Sequence, residues 1–141
     1  DDINDPGNLG TIIRIAEWFG VKTIFCNEHC VDAYNPKVVN AAKGSLFRTN
    51  LFYGSLQELF EKSKAPVFGA VLNGNNIYQT DLPHEGILLI GSESHGISDE
   101  LLPFLKLKIS IPGTGNTESL NAGVATGIML SEFYRRVHHN C

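Results

Sequence analysis

The chain has 141 residues, 43% of them hydrophobic, a formal net charge of −4 and three cysteines. That length suits one domain with a core of its own, and no apolar run is long enough to cross a bilayer. The acidic balance excludes an overall basic nucleic-acid binder, though not a local basic face. Three cysteines without framework spacing exclude a disulfide scaffold and point to a reducing, cytoplasmic setting. The acidic start, Asp1-Asp2-Ile3-Asn4-Asp5, is unlike a signal peptide.

Asn8 is a good N-cap for a helix over Leu9–Phe19, with Gly20 as its stop. Ile12, Ile15, Ala16 and Phe19 make its apolar stripe. Arg14 lies off that stripe; leaning toward the helix N-terminus, it passes over Gly10 toward the loop Asp5-Pro6-Gly7-Asn8. Val21–Cys26 reads as a strand with Cys26 in the core, Asn35–Lys43 as a short helix and Arg48–Phe52 as a short strand. Ser55 caps an amphipathic helix over Leu56–Lys62. Val67–Leu72 is a continuous apolar strand of the kind found at the centre of a parallel sheet. It ends at Asn73-Gly74-Asn75-Asn76, rich in residues that tolerate positive φ.

Gly86–Ile90 is a second central strand, ending at Gly91-Ser92-Glu93, and Ser98 caps a short helix around Asp99–Phe104. A last strand, Leu107–Ile111, runs into Pro112-Gly113 and a polar loop, Thr114–Glu118. A long helix is expected to open at Ser119 with the small residues Ala122, Gly123, Ala125, Thr126 and Gly127. A helical glycine costs roughly 1 kcal/mol against alanine, so two of them four apart imply a close backbone, read here as that of a second subunit. His138, His139 and Cys141 fall in an expected tail whose spacing fits no common metal site.

Strands alternating with helices predict an open, mostly parallel α/β sheet. Ligands bind such sheets beyond the carboxyl ends of the strands, where the loops Leu72–Asn75, Gly91–Gly96 and Ile111–Asn121 fall. Backbone groups there suit a purine edge, with Leu72, Ile90, Ile111 and Leu120 as apolar walls. Two motif matches fail. Gly113-Thr-Gly115-Asn-Thr-Glu118 lacks the third glycine of a dinucleotide fingerprint and has no βαβ unit after it. Ser92-Glu-Ser94-His-Gly96 imitates a nucleophile elbow but lacks its first glycine and the downstream acid and histidine.

Three blocks together resemble the SpoU (TrmH-like) class of the SPOUT RNA 2′-O-ribose methyltransferases. They are Asn4–Ala16 (NDPGNLGTIIRIA), Leu89–Ile97 (LIGSESHGI), and Ile111-Pro112-Gly113 followed by Ser119-Leu120-Asn121-Ala122-Gly123-Val124-Ala125. The resemblance covers nearly the whole chain. It implies a catalytic domain over residues 1–141, parted from an N-terminal substrate-binding domain and from most of its first strand. It also implies S-adenosylmethionine as cofactor, rRNA or tRNA as partner, a homodimer through the C-terminal helix, and a C-terminal trefoil knot, an exception to the rule that chains do not thread loops. By similarity, Leu72, Asn73, Gly74, Ile90, Gly91, Gly96, Ile97, Ile111, Pro112 and Leu120 surround the cofactor. Asn8, Arg14, Glu93, Ser119 and Asn121 match the family's polar site positions, the last two also as cofactor contacts.

Arg14 is often assigned as the base in this family. Arginine has no acceptor lone pair, so we read it as an electrostatic clamp on the 2′-oxygen and a phosphate, with the proton leaving through Ser119 or water. Glu93 is expected to hold the loop or to pair with Arg14 of another subunit. Taken alone, Asn8 reads as a helix cap, Glu93 as a loop ligand and Arg14 as a surface charge. Lys37, Lys43 and Arg48 are candidates for phosphate contact. Where the family often has Val-Ser, this chain has Ala122-Gly123. An inactive knotted RNA-binding subunit and a base methyltransferase of the same fold are the competing readings.

Overall fold

A computed structural model describes residues 1–139. The first helix, α1 (Pro6–Trp18), starts three residues before the expected position. Asp5 is its cap: the Asp5 carboxylate accepts from the Asn8 N–H at 2.7 Å, and Pro6 occupies the first turn, where a missing N–H costs nothing. Asn8 is therefore not a cap, and its side chain is free for other partners. Leu9, Ile12, Ile13 and Ala16 bury one face of α1. Gly20, at φ 77°, ends it.

Strand β1 (Thr23–Cys26) pairs in parallel with β2 (Asn50–Tyr53). Cys26 is buried, as expected. Between them, α2 (Pro36–Ala42) is capped by Asn35, which accepts from the Lys37 N–H at 2.9 Å. A 3-10 turn over Ser45–Phe47 delays β2 to Asn50, two residues beyond the expected Arg48. Helix α3 (Leu56–Lys62) has its expected bounds and its expected Ser55 cap, bonded to the Glu58 N–H at 3.2 Å.

Strands β3 (Val67–Asn76), β4 (Ile87–Leu89) and β5 (Leu105–Ser110) form a parallel sheet in the order β4-β3-β5. The single sheet expected from the sequence is thus two. The segment Asp1–Ile3 bridges them without forming a ladder: Asp1 N donates to Ile90 O at 3.0 Å, and Ile3 O accepts from Val31 N at 2.9 Å. An apolar cleft of about 590 Å³ lies between the sheets, with Ile24, Leu59, Leu88 and Phe133 among its walls. The short helix expected at residues 99–104 is a 3-10 helix containing Pro103, and the Ser98 side chain, expected as its cap, makes no cap bond.

Helix α4 (Ala122–His139) opens three residues after Ser119. Asn121 caps it, its Oδ1 accepting from Gly123 N at 2.9 Å and Val124 N at 3.2 Å. A β-carbon on Gly123 would meet Thr11 Cγ2 at 2.9 Å, and one on Gly127 would meet Ile15 at 3.4 Å. What Gly123 admits is therefore the Thr11 side chain of α1 in the same chain, while Gly127 makes only ordinary contact with Ile15. His138 and His139 belong to this helix rather than to a tail; Cys141 lies outside the described residues. Among the described residues there is no cluster of metal ligands and no helix long and apolar enough to cross a membrane.

Candidate functional site

Because β4, β3 and β5 are parallel neighbours, their carboxyl ends fall on one edge, and the three expected loops open there. The loop after β3 differs from expectation. β3 continues to Asn76 with no positive φ, and both Ala70 and Asn75 register against Ile109 of β5. Residues 71–74 are thus extra to the ladder and bulge from it, a device common beside active sites. Leu72 stands 67% exposed on that bulge. Gly74 is tied at its root: its carbonyl accepts from Ser110 Oγ at 2.9 Å, and a β-carbon would press on Ile109 backbone at 2.7 Å.

The loop after β4 is tightly closed. Ser92 and Gly96 exchange two backbone bonds, at 3.0 and 2.8 Å. Gly96 takes φ 71°, a conformation that favours glycine. A β-carbon on Gly91 would lie 2.3 Å from Gly96 C, so glycine is required where the loop crosses itself. Ile97, 7% exposed, points into the core with Leu56 and Leu101; its side chain is no ligand contact, leaving only its backbone for that task.

The closed loop lifts Glu93 to the start of α4. Glu93 Oε1 accepts from Asn121 Nδ2 at 3.0 Å and from the Ala122 N–H at 3.1 Å. The same Asn121 Nδ2 donates to Asn8 Oδ1 at 2.7 Å. One amide thereby joins residues 8, 93 and 121, one from each of the three sequence blocks, while its oxygen caps α4. A carboxylate at a helix N-terminus also complements the helix dipole.

A second set of bonds leaves the same loop. Ser92 Oγ and Ser94 Oγ are 2.8 Å apart, Ser94 Oγ lies 3.0 Å from His95 Nδ1, and His95 Nε2 lies 3.1 Å from Asp2 Oδ2. Asn27 Nδ2 donates to the other Asp2 oxygen. Asn27 above all, and then His95, hold the Asp2 carboxyl below its ordinary range, against a desolvation effect of opposite sign. Asp2 itself sits at φ 52°, unusual outside glycine. No local pattern joins residues 2 and 95, ninety-three positions apart, so only the fold reveals the pair. The Asp5 cap was legible in principle, since Asp-Pro is a cap and first-turn pair.

Of the five expected polar site residues, Arg14 and Ser119 stay outside these networks. Arg14 is exposed, about 9 Å along the helix axis from Asn8 at 1.5 Å per residue. Among the described residues it has neither an ion pair nor a hydrogen bond with Glu93 or Asn121. Gly10, which was read as clearing Arg14's path, instead admits α2: a β-carbon there would meet Ala41 Cβ at 2.5 Å. Ser119 and Pro112 lie in an exposed stretch, residues 112–121, together with Leu120 at 46% exposure. Ile90 and Ile111 are half-buried at the strand ends and Asn73 is exposed. Lys37 and Lys43 are exposed. Arg48 pairs with Glu17 at 2.8 Å and is committed within the chain. Of all the expected cofactor contacts, only Ile90 lines the large cleft between the sheets.

The family model described as SpoU rRNA Methylase family matches residues 1–131. The chain is 34% identical over 134 residues to the 23S rRNA (guanosine(2553)-2′-O)-methyltransferase of Bacillus subtilis, covering 92% of this chain and 54% of that protein. It superposes with a TM-score of 0.88 on a TrmH-family protein from Porphyromonas gingivalis, at 38% identity and with 96% and 57% of the two chains covered. It also superposes, with a TM-score of 0.87 and 30% identity, on the SpoU methyltransferase AviRb of Streptomyces viridochromogenes solved with S-adenosylmethionine; 94% and 56% are covered. The chain spans about half the length of the curated relatives it matches. Matched in sequence along nearly its whole length and in backbone throughout, the chain belongs to the SpoU rRNA Methylase family.

Proposed function

We propose that this domain, within its full-length protein, transfers a methyl group from S-adenosylmethionine to a ribose 2′-oxygen of ribosomal or transfer RNA. The observation that carries the reading is the junction of Asn8, Asn121 and Glu93, which draws the three motif blocks to one sheet edge. The Bacillus relative is named for a 2′-O-methylation of 23S rRNA, and AviRb was solved with the methyl donor.

The residues present suit such a donor. Leu72 and Leu120 are apolar side chains held in the open at the site, and Ile90 and Ile111 line the strand ends between them. An adenine ring needs walls of that kind, with backbone groups at its edge. Leu72, Asn73, Gly91, Gly96, Ile111, Pro112, Leu120 and the backbone of Ile97 would hold it. Gly74 contributes by fixing the bulge. S-adenosylmethionine supplies a methyl group on a sulfonium, which an oxygen displaces in line.

Asn121 orders the start of α4, and Glu93 fixes Asn121. Asn8 bonds the same amide and keeps α1 in register with that junction. Arg14, a planar fork of donors, suits the 2′-oxygen and an adjacent phosphate. Since it makes no contact with Glu93 in its own chain, we assign it to the neighbouring site of a homodimer. Trp18, one turn beyond Arg14, is 81% exposed, and Val124 on α4 is 49% exposed. Large exposed apolar side chains beside a site are what an interface covers. The knot is assigned to the crossing of the loops after β4 and β5, which Glu93 and Asn121 tie together.

Mapping 2′-O-methyl groups in total RNA with and without the parent gene tests the activity. One lost ribose position, restored by the wild-type gene, is expected; an unchanged map ends the proposal. Calorimetry with the methyl donor tests the pocket independently of RNA. An inactive RNA-binding subunit would leave the methyl map unchanged.

A further inference from the structure

A 2′-hydroxyl must lose a proton as it is methylated, and neither Arg14 nor Asn121 can receive one. Ser119 lies in the exposed stretch before α4, and among the described residues its hydroxyl has no partner to which it can hand a proton on. Ser94 does. It stands directly after Glu93, is exposed, and lies 3.0 Å from the ring of His95, which reaches Asp2 on its other side at 3.1 Å.

With the ring neutral, the bonds run in one direction. Asp2 is an ionised acceptor, its other oxygen taken by Asn27, so the proton between Asp2 and His95 sits on Nε2. Nδ1 is then the bare nitrogen, and Ser94 must donate to it. That leaves the Ser94 oxygen to accept from Ser92. The Ser92 oxygen in turn takes the Ser94 N–H at 3.1 Å. The serine hydroxyl is thus aimed at a base, and that base is fixed by a carboxylate, the arrangement that recurs in activated hydroxyls on unrelated folds. The match to a nucleophile elbow at Ser92–Gly96 failed for lack of a downstream acid; the acid comes from upstream, at Asp2.

We propose that Ser94, His95 and Asp2 form a relay that removes the proton from the ribose 2′-hydroxyl during methylation. The inference rests on the 2′-O-methyltransferase reading above. As the 2′-oxygen forms its bond to the methyl carbon, the sulfur–carbon bond breaks and its electron pair stays on sulfur. The 2′-proton passes to Ser94 Oγ, and the serine's own proton passes to His95 Nδ1. The sulfonium charge is replaced by an imidazolium charge beside Asp2. The His95 side chain is 50% exposed, so the proton leaves to water. Ser94 touches the substrate; His95 and Asp2 act through it. The charged group in contact with the ring is Asp2; next to it in sequence Asp1 is held on the Ser98 N–H at 2.7 Å, and Glu93 of the same loop is held on Asn121. His29 faces Asp2 from the loop after β1.

The test uses the full-length protein, tritiated S-adenosylmethionine and total RNA from cells lacking the gene, with nitrogen-edited NMR of the histidine rings in the RNA-free protein. Wild type is expected to show His95 protonated on Nε2 and an acidic limb in kcat. His95→Asn should lower kcat about 100-fold, within the range for loss of a general base, abolish that limb and leave donor affinity unchanged. Asp2→Asn puts an amide where the carboxylate fixes the ring, so the Nε2-protonated tautomer should be lost and kcat should fall with it. Ser94→Ala should match His95→Asn. A ring protonated on Nδ1, an acidic limb that persists in His95→Asn, or a His95→Asn rate within twofold of wild type overturns the relay while leaving the methyltransferase reading intact. A wild-type protein that binds the donor but methylates no ribose overturns both.

Discussion

The two loops that flank the site are built differently. The loop after β4 is closed on itself by the Ser92–Gly96 pair and bonded outward through Glu93 and His95. The stretch after β5, residues 112–121, is exposed along its length, and β-carbons on Gly113 and Gly115 would meet nothing within 4 Å. Both are rich in glycine, yet glycine serves opposite ends in them: in the first it admits backbone at contact distance, in the second it leaves the chain free. One wall of the site is therefore finished before a ligand arrives, and the other is free to take the shape of what it binds.

Gly91→Ala should break the finished wall most severely. Its β-carbon would fall 2.3 Å from Gly96 C and 2.4 Å from Ile97 N, backbone atoms that cannot swing aside. Overpacking of this kind costs about 3 kcal/mol, to be read as a shift of the urea midpoint, with binding of the methyl donor lost alongside it. A variant as stable as wild type would mean the loop has another closed form.

Next comes the far end of α4. Buried Glu132 accepts from Arg135 at 2.8 Å and from Arg136 at 2.7 Å, and Arg136 Nη2 donates to Ile77 O at 2.9 Å. Arg135, with Arg136 behind it and burial opposing both, holds the Glu132 carboxyl down at about 2. A depressed carboxyl stabilises the fold above its unfolded pKa, near 4.3. That contribution is lost as pH falls from about 4.5 toward 2. Glu132→Gln should cost about 2 kcal/mol at neutral pH and flatten that acid limb of the stability curve. Since Glu132 shares no partner with Glu93, the pair should be additive; strong coupling would mean α4 and the closed loop form one unit.

Glu93→Ala should cost less in stability, about 1 kcal/mol, because its side chain is exposed though it bonds two donors. Its effect on methylation should be far larger, about 100-fold, since Asn121 loses the partner that orients it. Equal losses in stability and rate would reduce Glu93 to a helix cap.

Much of this was readable in the chain. Ser55 and Asn35 cap where their side chains allow, and Val67–Leu72 forms a central strand, because those signals are local. Asn8 misled for a local reason: Asp5-Pro6 is the stronger start, and capping chemistry alone does not rank two candidates three residues apart. Gly123 correctly announced close contact, but a glycine does not say what approaches, and here it is the Thr11 side chain of α1; Gly10, read as clearing a path for Arg14, lies instead against α2. The bulge at 71–74 and the Asp2–His95 pair depend on strand register and on residues at opposite ends of the sequence, so no spacing rule reaches them.

The smallest expected effect on stability tests the open wall most directly. Gly113 and Gly115 have negative φ and empty surroundings, so alanine at either fits the backbone as it stands. Such substitutions restrict the unfolded chain and stabilise by about 0.5 kcal/mol. If residues 112–121 must reshape around the methyl donor, the same alanines remove conformations that the bound state needs. Gly113→Ala and Gly115→Ala should then melt no lower than wild type while binding the donor several-fold more weakly in calorimetry. Binding at wild-type strength would mean that this stretch is already in its working shape, and that the contrast between the two loops is one of contact alone.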